Sequence, residues 1–69
     1  MANNLRRIRE EQGLSQSELS KRSGVSRPTI IKIEAGEAPT IKTSTLVKLA
    51  EALNRSVAEI FFEEGVNHG

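Results

Sequence analysis

Ser15-Gln-Ser-Glu-Leu-Ser-Lys-Arg-Ser-Gly-Val-Ser-Arg-Pro-Thr-Ile-Ile-Lys-Ile-Glu-Ala-Gly36 is the stretch that decides how the rest of this chain is read. Ser15 to Glu18 is a capping box. The serine oxygen can accept from the Glu18 amide, while the Glu18 carboxylate reaches back to the Ser15 amide. The short helix it opens has Leu19 as its apolar anchor, with Leu14 just ahead of the cap. Lys21 and Arg22 fall in its last turn, where cations suit the helix dipole. Gly24 is its stop, and Val25 turns inward. Ser26 then caps a second helix with Arg27, Pro28 and Thr29 in the first turn. Proline is tolerated there because those amides have no intrahelical partner. It also biases Arg27 away from helical angles, so the start can slip by one residue. At about 100° per residue, Ile30, Ile33 and Glu34 share one side and Pro28, Ile31 and Lys32 the other. One face is core; the opposite face is free to touch something.

The flanking sequence reads as packing around this pair. Residues 4–12 place Leu5, Ile8, Arg9 and Gln12 at helical spacing, and Gly13 ends that run with a left-handed stop. Arg9 is out of place on an inward stripe. It either lays its stem over apolar surface or meets a carboxylate elsewhere in the fold. Beyond Gly36 a loop containing Pro39 leads to Leu46, Leu49, Ala50 and Leu53, the clearest amphipathic helix in the chain. Ser56 to Glu59 is a second capping box, opening a last short helix that carries Val57, Ile60 and Phe61. Glu63 to Gly69 is a polar tail. The expectation is an all-α domain of five helices over residues 4–61, with no strand and no internal repeat of solenoid period.

Sixty-nine residues allow one domain, and a chain this short buries only about 60% of the surface it exposes when unfolded. The absence of cysteine removes any disulfide framework or thiolate metal site and fits a reducing cytoplasm. No apolar run is long enough for a membrane span and no leader is visible, so the expected location is cytoplasmic. Net charge is only +1, but it is unevenly spread. Residues 1–42 hold eight Lys or Arg against five Glu, and residues 43–69 hold two against four. The basic part contains the helix pair, a mild pointer to an anionic partner there. Catalysis is not expected. The one histidine, His68, lies in the tail, and there is no tyrosine, no acidic cluster with metal spacing and no phosphate-cradling glycine loop. No metal or cofactor is expected either.

Taken together, Leu5 to Arg9, Gly13 to Gln16, Glu18-Leu19, Gly24 to Ser26, Ile30, Ile33-Glu34 and Gly36, followed by Leu46, Leu49-Ala50 and Leu53, resemble the lambda-repressor-like helix-turn-helix family of the phage Cro proteins and repressors. The resemblance covers residues 4–61, with the motif itself at about 15–36. It implies a compact five-helix domain that binds double-stranded operator DNA, usually as a symmetric dimer on an inverted repeat, and so a transcriptional regulator of repressor type. In such proteins the second helix of the motif enters the major groove and its N-terminal residues meet base edges. Carried over by position, Arg27, Pro28 and Lys32 face the bases, with Thr29 near the groove wall. Arginine bonding guanine O6 and N7 is the commonest specific contact, worth about 1–3 kcal/mol, which puts Arg27 first and Lys32 second.

The same resemblance assigns Gln16 to a phosphate and to bracing the recognition helix. The amides near Ser15, Gln16 and Ser17 form a helix N-terminus suited to a phosphate oxygen. Ser26, Thr40, Lys42, Thr43 and Ser44 are further backbone candidates, although Ser15, Ser26 and Thr43 can equally serve only as helix caps. Arg9 and Glu34 match a family ion pair joining the first helix to the end of the recognition helix. Two features depart from the pattern. Ile31 stands where a polar residue is usual, and can reach a thymine methyl, pack on a neighbouring chain, or stand as a tolerated exposed apolar group. The loop from Gly36 to Leu46 is longer than in compact members. Val57, Ile60, Phe61 and Phe62 form a cluster richer in large apolar groups than a tiny domain needs, and are the expected homodimer face. The alternative function is an antitoxin or other interaction module of the same fold, bound mainly to a partner protein. RNA is disfavoured because aromatic stacking platforms are missing.

Overall fold

The computed structural model describes residues 3–38 and 40–62. Helices α1 (Leu5–Glu11), α2 (Gln16–Ser23), α3 (Arg27–Glu34) and α4 (Thr43–Leu53) are followed by a π-helical turn, Ala58–Phe62. Among the described residues there is no strand. The expected tail, Glu63 to Gly69 with His68, lies outside the described residues, as does Pro39 of the loop.

Helix boundaries follow from local chemistry. The Glu18 amide donates to Ser15 Oγ at 3.0 Å and the Ser15 amide to Glu18 Oε1 at 2.8 Å, completing the first capping box. The second closes in the same way between Ser56 and Glu59, at 2.9 and 3.0 Å. Both carboxyls are held below the usual glutamate range, first of all by the backbone amide of the capping serine. Gly24 ends α2 in the left-handed region at φ 77°, which glycine occupies without steric cost and which sends the chain sharply into α3. Asn54 ends α4 in the same region at φ 55°. The last turn winds as a π-helix, and its adjacent Ile60 and Phe61 both lie inward, as Leu49 and Ala50 do on α4.

Every element gives the core at least one fully buried side chain: Leu5 and Ile8, Leu19, Ile30 and Ile33, Leu49 and Leu53, and Ile60. Each such side chain contributes about 1.5–3 kcal/mol of burial. Helix α2 packs on both α3 and α4, and α1 packs on α3 and the π-turn. Ala38 and Ile41 of the loop also lie against the core, so the loop is anchored at both ends of its span. Side-chain amides tie the elements end to end. Asn3 Nδ2 donates to the Ile33 carbonyl at 2.9 Å, Asn4 Nδ2 to Glu59 O at 3.0 Å, and Gln12 Nε2 to Leu53 O at 2.7 Å. Gln12, expected on the inward stripe, is exposed and reaches the core layer only through that bond.

Candidate nucleic-acid interface

Helix α3 begins at Arg27, so the proline at its second position does not displace the start. Ser26 is the N-cap: its Oγ accepts from the Thr29 amide at 3.4 Å and shares a hydrogen bond with Thr29 Oγ1 at 2.8 Å. That bond turns the Thr29 hydroxyl toward the cap and leaves it half-buried. Ile30 and Ile33 are sealed into the core, whereas Arg27, Pro28, Ile31 and Lys32 are all exposed. The helix is thus split lengthwise between a packed face and an open one.

A buried ion pair sets how that open face is presented. Arg9 Nε and Nη2 donate to Glu34 Oε2 and Oε1 at 2.7 and 3.2 Å, and Arg9 Nη1 donates to the Leu14 carbonyl at 2.7 Å. The Arg9 and Glu34 side chains are only 10% and 6% exposed. Bonding to Glu34 raises the Arg9 pKa further above its ordinary value, against the opposing effect of burial. Gln16 Nε2 donates to the same Glu34 Oε1 at 3.1 Å. The carboxylate at the end of α3 is therefore gripped from α1 and from the first residue of α2. Asn3, on the Ile33 carbonyl, grips the same end of the helix and carries no signal in its local sequence that would reveal this.

The backbone candidates divide by how far they are already engaged. Ser15 and Ser26 spend their hydroxyls on caps, whereas Gln16 is bonded to Glu34 and Ser17 is exposed. Thr43 does not cap α4: the N-cap is Lys42, whose side chain makes no cap bond, and Thr43 is the first helical residue. Thr40, Lys42, Thr43 and Ser44 are all exposed at or just before this uncapped end.

The charges sort by region. Arg6 pairs with Glu10 at 3.1 Å, Arg7 with Glu11 at 2.9 Å, Arg9 with Glu34, and Arg55 lies 3.8 Å from Glu11 and 3.9 Å from Glu59. Lys21, Arg22, Arg27, Lys32, Lys42 and Lys48 are exposed, and none has an ion-pair partner among the described residues. All six lie between residues 21 and 48, where the only carboxylates are the nearly buried Glu34 and the exposed Glu37; Glu18, one turn before Lys21 and Arg22, feels the charge of both without forming an ion pair. The uncommitted positive charge is thus concentrated on the helix pair, the loop and the first half of α4.

The expected dimer cluster is corrected in part. Ile60 is fully buried and Phe61 nearly so, because both complete the core of the single chain. Phe62 is 58% exposed and Val57 half-buried. Val57 lines an open groove of about 390 Å³ with Val47, Ala50 and Arg55 among its other residues, and Val47 is itself exposed. Among the described residues no three His, Cys, Asp or Glu side chains could hold a metal, and no helix is long and apolar enough to cross a membrane.

This arrangement has known counterparts. The Helix-turn-helix family model matches residues 5–60. The chain belongs to this family, the lambda-repressor-like DNA-binding regulators. It is 37% identical over 68 residues to Control protein C.SmaI of Serratia marcescens, covering 99% of this chain and 80% of that protein. The structure of the restriction-modification controller protein C.AhdI from Aeromonas hydrophila superposes with a TM-score of 0.76 at 34% identity, over 81% of this chain and 83% of that one. The SinR protein, solved in complex with SinI protein, superposes with a TM-score of 0.82 at 26% identity, over 96% of this chain and 64% of that one. A glutamine–fructose-6-phosphate aminotransferase of Methanocaldococcus jannaschii is 32% identical over 66 residues, but the chain spans only 6% of that protein. The family is one of regulators, and the part of this chain matched to the aminotransferase is essentially its helix-turn-helix domain.

Proposed function

We propose that this chain binds a specific double-stranded DNA operator as a symmetric homodimer and thereby regulates transcription. The observation that carries the reading is the sorting of charge: six exposed cations without ion-pair partners lie on one continuous run containing α3, while the arginines of α1 are neutralised by glutamates. A surface of free Lys and Arg releases counterions when it meets phosphates, which supplies sequence-independent affinity. Arg27 reads a guanine and Lys32 a neighbouring base or phosphate. Gln16 and Ser17, the uncapped start of α4 and Lys42 meet the backbone on either side. Pairing of two copies proceeds through Phe62 with the Val47–Val57 groove, leaving Ile60 and Phe61 inside each chain.

Selection of bound sites from random duplex DNA at two salt concentrations tests this. The expected product is an inverted repeat of a short half-site. The slope of log affinity against log salt should fall by about two, one for each protomer, when Lys42 is replaced by Ala, with base preference unchanged. Recovery of no recurrent half-site at either salt concentration would defeat the reading. A second reading, a module whose main partner is another protein, draws on the SinR structure, which is of a complex with SinI protein. Under that reading the selection returns unrelated sequences and the Lys42 and Arg27 variants behave alike.

A further inference from the structure

Ile31 is not part of the packed core. The core requirement of α3 is met by Ile30 and Ile33, at 0% and 1% exposure, while Ile31 is 43% exposed and outside the packed cluster. It follows Arg27 by one helical turn and sits next to Lys32, so an aliphatic branch stands between two cations that have no partner. Local propensity does not favour it either, because a β-branched residue on an exposed helix face is a poorer helix former than Lys, Gln or Ala. Neither packing nor propensity accounts for it, which directs attention to what the face touches. A second copy of this face is a poor occupant, since a two-fold contact here would bring Arg27 and Lys32 against like charges.

We propose that Ile31 reads a thymine through its C5-methyl group; this rests on the DNA-binding reading above. Among the base edges displayed in the major groove, the thymine methyl is the one apolar group, and an aliphatic side chain with no donor or acceptor can select nothing else there. The helix also sets the position. Residues four apart rise about 6 Å along the axis, and base pairs are stacked about 3.4 Å apart. The thymine therefore lies within two base pairs of the guanine bonded by Arg27. The two side chains together specify a G and a T in close succession, the first by hydrogen bonds and the second by shape.

The test uses the full chain and the half-site recovered by selection. Each thymine is replaced in turn by deoxyuridine, which removes only the methyl, and affinity is measured for the wild type and for Ile31→Ala. One thymine within two base pairs of the Arg27 guanine should cost the wild type about fourfold per half-site, the loss expected of one buried methyl group. Ile31→Ala should be indifferent to the same change while melting no lower than the wild type. Deoxyuridine tolerated at every position, or an equal loss in the two proteins, overturns the assignment and leaves the DNA reading standing. So does an Ile31→Ala variant whose self-association weakens without DNA while its deoxyuridine penalty persists. Failure to recover any half-site overturns the DNA reading and this assignment with it.

Discussion

Arg9 and Arg27 are the same residue type in neighbouring packed helices, and the fold uses them in opposite ways. Arg9 makes three hydrogen bonds, two to Glu34 and one to the Leu14 carbonyl, and its side chain is 10% exposed. Arg27 is exposed at the first residue of α3 with no partner among the described residues. The difference extends to their surroundings. On α1 every arginine faces a glutamate, whereas from Lys21 to Lys48 the cations are left open. One region is electrostatically closed and holds; the other is electrostatically open and is available to an anion. A small domain can afford a buried charge only where it is well partnered, and each guanidinium nitrogen of the closed arginine has an acceptor while those of the open one have none.

The largest expected effect tests the closed side. Arg9→Met strands the Glu34 carboxylate in a nearly buried site and should cost about 3–5 kcal/mol in urea unfolding. Adding Glu34→Met to that variant should recover most of the loss, because no unpaired charge then remains. An Arg9→Met protein with an unchanged unfolding midpoint would break the comparison at its stronger end.

The open side is expected to behave conversely. Arg27→Ala should shift stability by no more than about 0.5 kcal/mol. In fluorescence anisotropy it should weaken operator binding by about 1–3 kcal/mol per half-site and relax preference at one base pair of each. A smaller effect is expected at the turn joining the two helices of the motif. Gly24→Ala places a Cβ where nothing lies within 4 Å, so only the left-handed backbone at φ 77° is penalised. The expected loss is about 1–2 kcal/mol in thermal unfolding, with selected half-sites unchanged.

The smallest effect concerns pH. The Glu18 and Glu59 carboxyls titrate below their usual value near 4.5, chiefly through bonds from the Ser15 and Ser56 amides. Their stabilisation is therefore complete above that value and is lost as pH falls through the lowered folded-state values. Glu18→Gln should flatten part of the acid limb of a stability–pH curve without moving its neutral plateau by more than the loss of one exposed cap. A curve unchanged in shape would show that the cap carboxylate is not what titrates.

Much of the fold was legible from neighbouring residues. Ser15 with Glu18, Ser56 with Glu59, the stop at Gly24 and the stripe ending at Leu53 all depend on groups within a few positions of one another. The lengthwise split of α3 follows from its period in the same way. The role of Thr43 was not legible, since a Thr ahead of an apolar run looks the same as a cap and as a first helical residue. Nor was the burial of Ile60 together with Phe61, which depends on what packs around the last turn.

The sequence by itself determined the five helical segments, two capping boxes, a glycine turn and the residues available to α3's outer face, because each depends on short-range stereochemistry. Tertiary structure decided which charges are free. Arg9 reaches Glu34 and Leu14, Gln16 shares the same carboxylate, Asn3 holds the Ile33 carbonyl and Gln12 the Leu53 carbonyl. All but the bond to Leu14 span eighteen to forty-one residues of chain. A charge is neutralised by what lies within a few ångströms in space, and periodicity along the chain does not report that distance.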